Sequence, residues 1–273
     1  MISYYYFRIM SVFLYFVPYE VIDFFSYVIG NLIYFSNNWR VESIKKNLNR
    51  IGIFDFNLKE IFVNMVRNHF DLLKSYYLKQ DYILKITDLS NVDLERIKNH
   101  KYILITAHYG NWELAGIIFG YLVKNSVSVA EFKGVGEAKY RALLRFRNLT
   151  GMKIFPLEDP KTILKLEEHL QMGYIPVLLF DRDITKTGTL CDFGNSKVFI
   201  PKGPFYFGKK FSRDIMFGTF FYRKNKKYRY IALIIEVEKD ENLKKYAENG
   251  LKVLVDVIKR KPEEWFAFSM RWE

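Results

Sequence analysis

The chain has one cysteine, Cys191, in 273 residues. No internal disulfide can form, and the usage suits a reducing compartment. Proline is scarce and no Pro/Gly/Ser-rich stretch, internal repeat or low-complexity segment divides the sequence, so a single α/β domain with an N-terminal extension is the economical reading. No window reaches roughly 18 uncharged apolar residues, which argues against a clean membrane span. No small-residue cleavage site follows a basic start, which argues against a secretory leader. A Gly-x-Gly-x-x-Gly fingerprint and a phosphate-binding loop are both missing, so nucleotide binding is not expected. The zinc-hydrolase pattern, two histidines at helical spacing with a glutamate beside the first, is also missing, and no metal site is expected.

What is present is positive charge and aromatic surface. Lys and Arg total 42 against 30 Asp and Glu, a net charge of +12 spread along the chain. Partners of negative charge follow: anionic lipid, a phosphorylated lipid, an acidic carrier protein or nucleic acid. Residues 1–36 are dense in Tyr, Phe, Ile and Val, broken by Arg8, Pro18, Glu20 and Asp23. Such rings suit headgroup depth, so this segment reads as a membrane-associating helical anchor, with residues 37–273 as the folded domain. The competing reading is a helical hairpin packed on the protein's own core.

Val41, Ile44 and Leu48, then Ile61, Met65, Phe70 and Leu73, recur at helical spacing. A β-like segment is expected at Tyr82–Ile86, a polar helix at Val92–Asn99 and a strand at Tyr102–Thr106. A helix to about Val123, a strand at Val127–Glu131 and a basic helix from Glu137 to Leu149 follow. Further strands are expected at Met152–Phe155 and Ile175–Phe180, around a helix at Pro160–Gln171. A glycine-bearing loop over 184–203 leads to a helix at Pro204–Ser212. A hairpin of Ile215–Tyr222 and Tyr228–Val237 and a helix at Leu243–Lys259 close the series. The alternation predicts a single mixed, mostly parallel sheet flanked by helices.

The segment Ile103–Leu114 carries the chemistry. An apolar strand stops at His108, a Gly110-Asn111 break follows, and Glu113 falls in the first turn of the next helix, which Asn111 would cap. On a continuous helix, five residues turn about 140° around the axis, and the two side chains would diverge. A strand-loop-helix corner removes that difficulty. An imidazole oriented by a carboxylate is what a general base requires. His69, His100 and His169 lie in polar or charged surroundings and read as structural or solvated. Glu113 alone would be an ordinary first-turn acid. Asp181 and Asp183 leave the carboxyl end of an apolar strand, where ligands meet open α/β sheets, or they cap the following turn.

His108-Tyr-Gly-Asn-Trp-Glu113 resembles the histidine-four-residues-acid motif of glycerolipid acyltransferases, in the form found among lipid A late acyltransferases. Asp181-Arg182-Asp183 and the ending from Pro262-Glu263-Glu264-Trp265 to Arg271-Trp272 are similar to that family's Asp-x-Asp and Pro-Glu-Gln-Trp…His-Arg-Arg-Trp stretches, in the same order. The resemblance implies a glycerolipid-acyltransferase-like fold with His108 and Glu113 as the catalytic pair. The substrate-binding set it implies comprises Asn111, Lys133, Arg145, Arg147, Asp181 and Asp183. Where the family often has Tyr-Arg-Pro, this chain has Phe132-Lys133-Gly134, keeping the charge and losing the guanidinium fork. Phe193-Gly194 resembles a loop that shapes the acyl groove. A thioester donor on acyl carrier protein, or on coenzyme A, and a phosphorylated glycolipid acceptor are the implied co-substrates, without metal or nucleotide cofactor. The implied place is the cytoplasmic face of a bacterial inner membrane. Acylation of a mannosylated phosphatidylinositol or an aminolipid is the alternative within the class; a basic membrane- or nucleic-acid-binding protein is the alternative outside it.

Overall fold

The computed structural model describes residues 2–36, 38–78, 80–132, 144, 150–223 and 227–273, with backbone only for 2–4. Its centre is a seven-stranded sheet made of β1 (Thr87–Asp88), β2 (Tyr102–Thr106), β3 (Ser126–Ala130), β4 (Lys153–Pro156), β5 (Ile175–Leu179), β8 (Asp214–Tyr222) and β9 (Tyr230–Glu236). The strand order is β1-β9-β8-β2-β5-β3-β4, and every neighbouring pair is parallel except β8–β9. β2 and β5 lie side by side, Thr106 opposite Leu179.

Alternation along β2 sends its side chains to two different cores. Ile103 and Ile105 pack with Phe205 of α9 (Gly203–Lys210) and Leu254 of α10 (Leu243–Arg260). Tyr102 and Leu104 pack with Phe119 of α7 (Trp112–Leu122) on the other face. Fully covered strands of this kind are apolar along their whole length, and four of the five β2 residues are buried. The remaining helices are α3 (Trp39–Arg50), α4 (Leu58–Ser75), α5 (Gln80–Lys85), α6 (Leu94–Asn99) and α8 (Thr162–Gln171).

Residues 1–36 form two helices, α1 (Ile2–Phe16) and α2 (Tyr19–Phe35), packed on α4. α2 approaches α4 so closely at Gly30 that a Cβ there would fall 2.5 Å from the Val63 Cα. The inner faces bury Phe7, Leu14 and Ile22, while Phe13, Phe16, Phe24, Leu32 and Phe35 remain exposed. Among the described residues no helix is long and apolar enough to cross a membrane.

Two local expectations change. Tyr82–Ile86 is helical rather than β-like up to Lys85, with a two-residue strand after it; Ile83 is the buried residue, not its alternating neighbours. The 184–203 stretch holds a two-stranded antiparallel sheet, β6 (Thr189–Phe193) and β7 (Ser196–Ile200), turned at Gly194-Asn195 with Gly194 at φ +62°. The basic helix expected over 137–149 lies outside the described residues, apart from Leu144.

Candidate active site

Parallel register builds the site. Thr106 and Leu179 are matched partners at the carboxyl ends of β2 and β5, and the Phe180 N–H donates to Thr106 O at 3.0 Å. Two residues beyond each partner stand His108 and Asp181. The carboxyl ends of adjacent parallel strands are where α/β sheets gather ligand-contacting groups. Here the two groups are bonded. Asp181 Oδ1 lies 2.8 Å from His108 Nδ1, and the His108 backbone N–H donates to Oδ2 at 2.9 Å.

Asp181 is fully buried. Burial pushes its carboxyl up, but the His108 charge, the two His108 donors and the Arg182 charge outweigh that and hold it below the ordinary range. An ionised carboxylate only accepts, so Nδ1 must carry the hydrogen and Nε2 is left as the basic nitrogen. The ring keeps 14 % of its surface exposed, and the edge of Trp112 packs against it at 5.1 Å.

The loop between His108 and α7 is pinned on both sides. Gly110 N donates to Glu264 O and Asn111 N to Phe220 O, both at 2.7 Å, and Phe266 N donates to His108 O at 2.7 Å. Gly110 sits at φ +64°, a conformation that costs glycine little. Glu264, one of these partners, is itself fully buried. Burial raises its carboxyl to about 7 despite Lys261 and Arg67; Lys261 Nζ lies 3.0 Å away and also donates to Tyr222 O.

Asn111 caps α7 as expected, Oδ1 accepting from Leu114 N at 3.2 Å. Its amide is buried and committed to the protein, donating to Asn68 O and the Tyr230 hydroxyl. That makes it a positioning residue for the loop and α7. Tyr230 donates to Asp71, Asp71 pairs with Arg229 at 2.6 Å, and Arg229 reaches Asp23 of α2 at 2.7 Å. A buried polar chain therefore links the first helices to the cap of α7.

The other expected residues fall differently. The carboxylate on His108 Nδ1 is that of Asp181, where the sequence reading had assigned Glu113; Glu113 lies half-buried in the first turn of α7. Asp183 is buried and paired with Arg271 at 2.7 Å, tying the C-terminal segment to the strand end. Lys133, Arg145 and Arg147 lie outside the described residues. His169 bonds its own helix at Lys165 O, and His69 packs against the Tyr6 and Phe7 rings. The Asp183–Arg271 pair and the buried Glu264 were not anticipated.

Beside this corner, an apolar cavity opens between α7 and the sheet. It holds about 580 Å³ of empty space, the part open to solvent included, and its walls include Leu104, Thr106, Gly116, Phe119 and Val177. Leu104 and Thr106 are alternate residues of β2, and His108 is the next position in that row. Trp112 borders both the cavity and the imidazole.

The whole chain, residues 1–273, matches the family model described as bacterial lipid A biosynthesis acyltransferase. It is 29% identical over 104 residues to a phosphatidylinositol mannoside acyltransferase of Mycobacterium tuberculosis, covering 37% of this chain and 33% of that one. It is 32% identical over 108 residues to a protein of the same name in Mycolicibacterium smegmatis, covering 37% of this chain and 34% of that one. The chain spans about a third of the length of these curated relatives. With the motif corner, the parallel sheet and a match from the first residue to the last, the protein belongs to the bacterial lipid A biosynthesis acyltransferase family.

Proposed function

We propose that this protein transfers a fatty acyl chain from a thioester donor to a hydroxyl of a membrane glycolipid. The observation that carries the reading is the His108 imidazole, fixed by Asp181 with Nε2 basic and packed against Trp112, which also lines an apolar cavity. Nε2 takes the proton of the acceptor hydroxyl as its oxygen attacks the thioester carbonyl. The tetrahedral oxyanion collapses, the C–S bond breaks, and the thiolate leaves with a proton from His108 or from water. Attack is direct: Cys191 is buried, and burial raises its thiol to about 12, which disfavours a nucleophilic thiolate. The oxyanion would be met by backbone N–H groups at the positive N-terminal end of α7, which Asn111 caps, or by a basic side chain. Glu113 keeps its place as the motif's acid, with the orienting task at Nδ1 passing to Asp181. The cavity along β2 takes the acyl chain.

The donor is an acyl carrier protein, or less often coenzyme A, and the step needs no metal or nucleotide cofactor. The net charge of +12 suits an acidic carrier and a phosphorylated acceptor. A lipid A precursor fits the family description. A phosphatidylinositol mannoside is the second acceptor, favoured by the names of the two relatives. The exposed aromatic faces of α1 and α2 support docking at the cytoplasmic face of a bacterial inner membrane, without a span. Lys133, Arg145 and Arg147 stay in the proposal as the phosphate-binding set. Residues 1–36 would then serve as the membrane-facing unit of an acyltransferase domain over 37–273.

The test is transfer of a radiolabelled chain from acyl carrier protein or coenzyme A to either acceptor by the purified protein. Product from the wild type and its loss, by roughly 10³-fold, in His108→Ala is the expected result. Equal turnover in the two proteins removes the catalytic reading in favour of a binding protein. Mass spectrometry of host lipids with and without the gene then identifies the acceptor.

A further inference from the structure

We propose that Arg271 is a positioning residue for the His108–Asp181 pair, acting through Asp183. The proposal deepens the acyl-transfer reading of the corner and rests on it for its kinetic consequence. One segment, residues 265–273, fastens the carboxyl ends of both β2 and β5. At β2, Tyr109 and Trp265 form an antiparallel bridge, and the Phe266 N–H donates to His108 O at 2.7 Å. Five residues later, Arg271 Nη1 donates to Asp183 Oδ2 at 2.7 Å, on the turn that follows β5.

Asp181 and Asp183 are two residues apart, a reach of at most ~7 Å of chain. Their carboxylates are two fixed points of that turn, one on His108 and the other on Arg271. Releasing Asp183 frees the turn that carries the orienting carboxylate. The Asp183 side chain is wholly shielded from solvent, and a carboxylate so placed requires a cation.

Arg271 is itself seated. Its guanidinium lies over the Phe199 ring of β7 at 4.0 Å, and its carbonyl accepts from the Phe199 N–H at 2.8 Å. On either side of it in sequence, the Asn47 side chain of α3 donates to Ala267 O at 2.6 Å and accepts from Trp272 Nε1 at 2.8 Å. Gly188 leaves room for the carboxylate, since a Cβ there would lie 2.9 Å from Asp183 Oδ2. A tie that merely pinned this segment would serve anywhere on the surface. This one meets the site at both of its strands.

The test reads the imidazole directly, by nuclear magnetic resonance of the full-length protein with isotope-labelled histidine. At alkaline pH the ring-nitrogen shifts of His108, assigned by their loss in His108→Ala, report which nitrogen carries the hydrogen. Wild type should hold it on Nδ1. Arg271→Gln should show a mixture of tautomers, and Arg271→Lys, which keeps a charge beside Asp183, should recover much of the wild-type pattern. Gly188→Ala displaces the carboxylate with Arg271 unchanged and should reproduce the mixture. In transfer assays Arg271→Gln should lower kcat about 10–10²-fold, with KM for donor and acceptor little changed.

An unaltered tautomer in folded Arg271→Gln overturns the proposal, whatever happens to its melting temperature. Should that variant fail to fold, an unaltered tautomer in Gly188→Ala does the same. A rise in KM at constant kcat also overturns it, because Arg271 would then be a substrate contact. A wild type with the hydrogen fixed on Nδ1 that transfers no chain sinks the acyl-transfer reading alone, and the tautomer measurement still decides Arg271.

Discussion

Gly110 and Phe220 approach so closely that no side chain fits between them: a Cβ on Gly110 would lie 2.0 Å from the Phe220 carbonyl oxygen. The same carbonyl accepts from Asn111 N, so the contact that forbids a side chain also closes the loop after His108. Gly110→Ala therefore has to move the loop. The expected outcome is a loss of at least ~2 kcal/mol in denaturant stability, combining left-handed strain with the clash. Transfer activity should fall further than stability alone explains, measured on the fraction that remains folded.

Asp181→Asn keeps the size of the side chain and removes the charge. An amide nitrogen can face Nδ1 and favour the wrong tautomer, turning Nε2 into a donor. A drop in kcat of ~10²–10⁴-fold with KM nearly unchanged is expected. The tie also sets a pH dependence. Because the folded carboxyl lies below its ordinary value, Asp181 contributes stability at neutral pH, and that contribution is lost as pH falls through the folded value. Melting curves of wild type and Asp181→Asn should converge on acidification.

Glu264 behaves in the opposite sense. Its carboxyl is raised from 4.5 to about 7, first by burial. The folded chain holds a proton that the unfolded chain releases, so wild-type stability should fall as pH climbs from about 4.5 to about 7, then level off. Glu264→Gln removes the titration and restores the residue of the family's Pro-Glu-Gln-Trp pattern. Thermal melts across this window should show the variant gaining on wild type by a few kcal/mol toward the alkaline end. Parallel curves would refute the shift.

Gly116 lines the apolar cavity, and a Cβ added there meets nothing within 4 Å. Gly116→Leu fills part of the space while improving helix propensity by up to ~1 kcal/mol, so the protein should remain folded. Chain-length preference should move toward shorter donors, with kcat/KM for a long chain falling about tenfold relative to a short one. Competition between two labelled donors measures it.

Much of this was readable along the chain, where signals were local. The apolar runs of β2 and β5, the Asn111 cap and the α/β alternation follow from short-range patterns. Tyr82–Ile86 misled because a five-residue run with apolar residues two apart fits either period. The β6–β7 hairpin was missed although Gly194-Asn195 between two alternating runs is a hairpin signal. The partner of His108 needed more than one segment. Asp181 is 73 residues away, and only the pairing of Thr106 with Leu179 turns that separation into a hydrogen bond. Arg271 on Asp183 and the cage around Arg229 are likewise products of folding, with no fixed spacing to announce them.

The cage has a practical corollary. Arg229 is shared between Asp71 and Asp23, and Asp23 also holds Arg67 at 3.1 Å. Trimming away the opening pair of helices, a common route to a better-behaved preparation, would strip out Asp23 and leave Arg229 with Asp71 alone and Arg67 with Asn64 and Glu60, beside the Tyr230–Asn111 link. An inactive truncation would then report damage relayed to the base of the catalytic helix, and would say little about whether those helices meet the lipid.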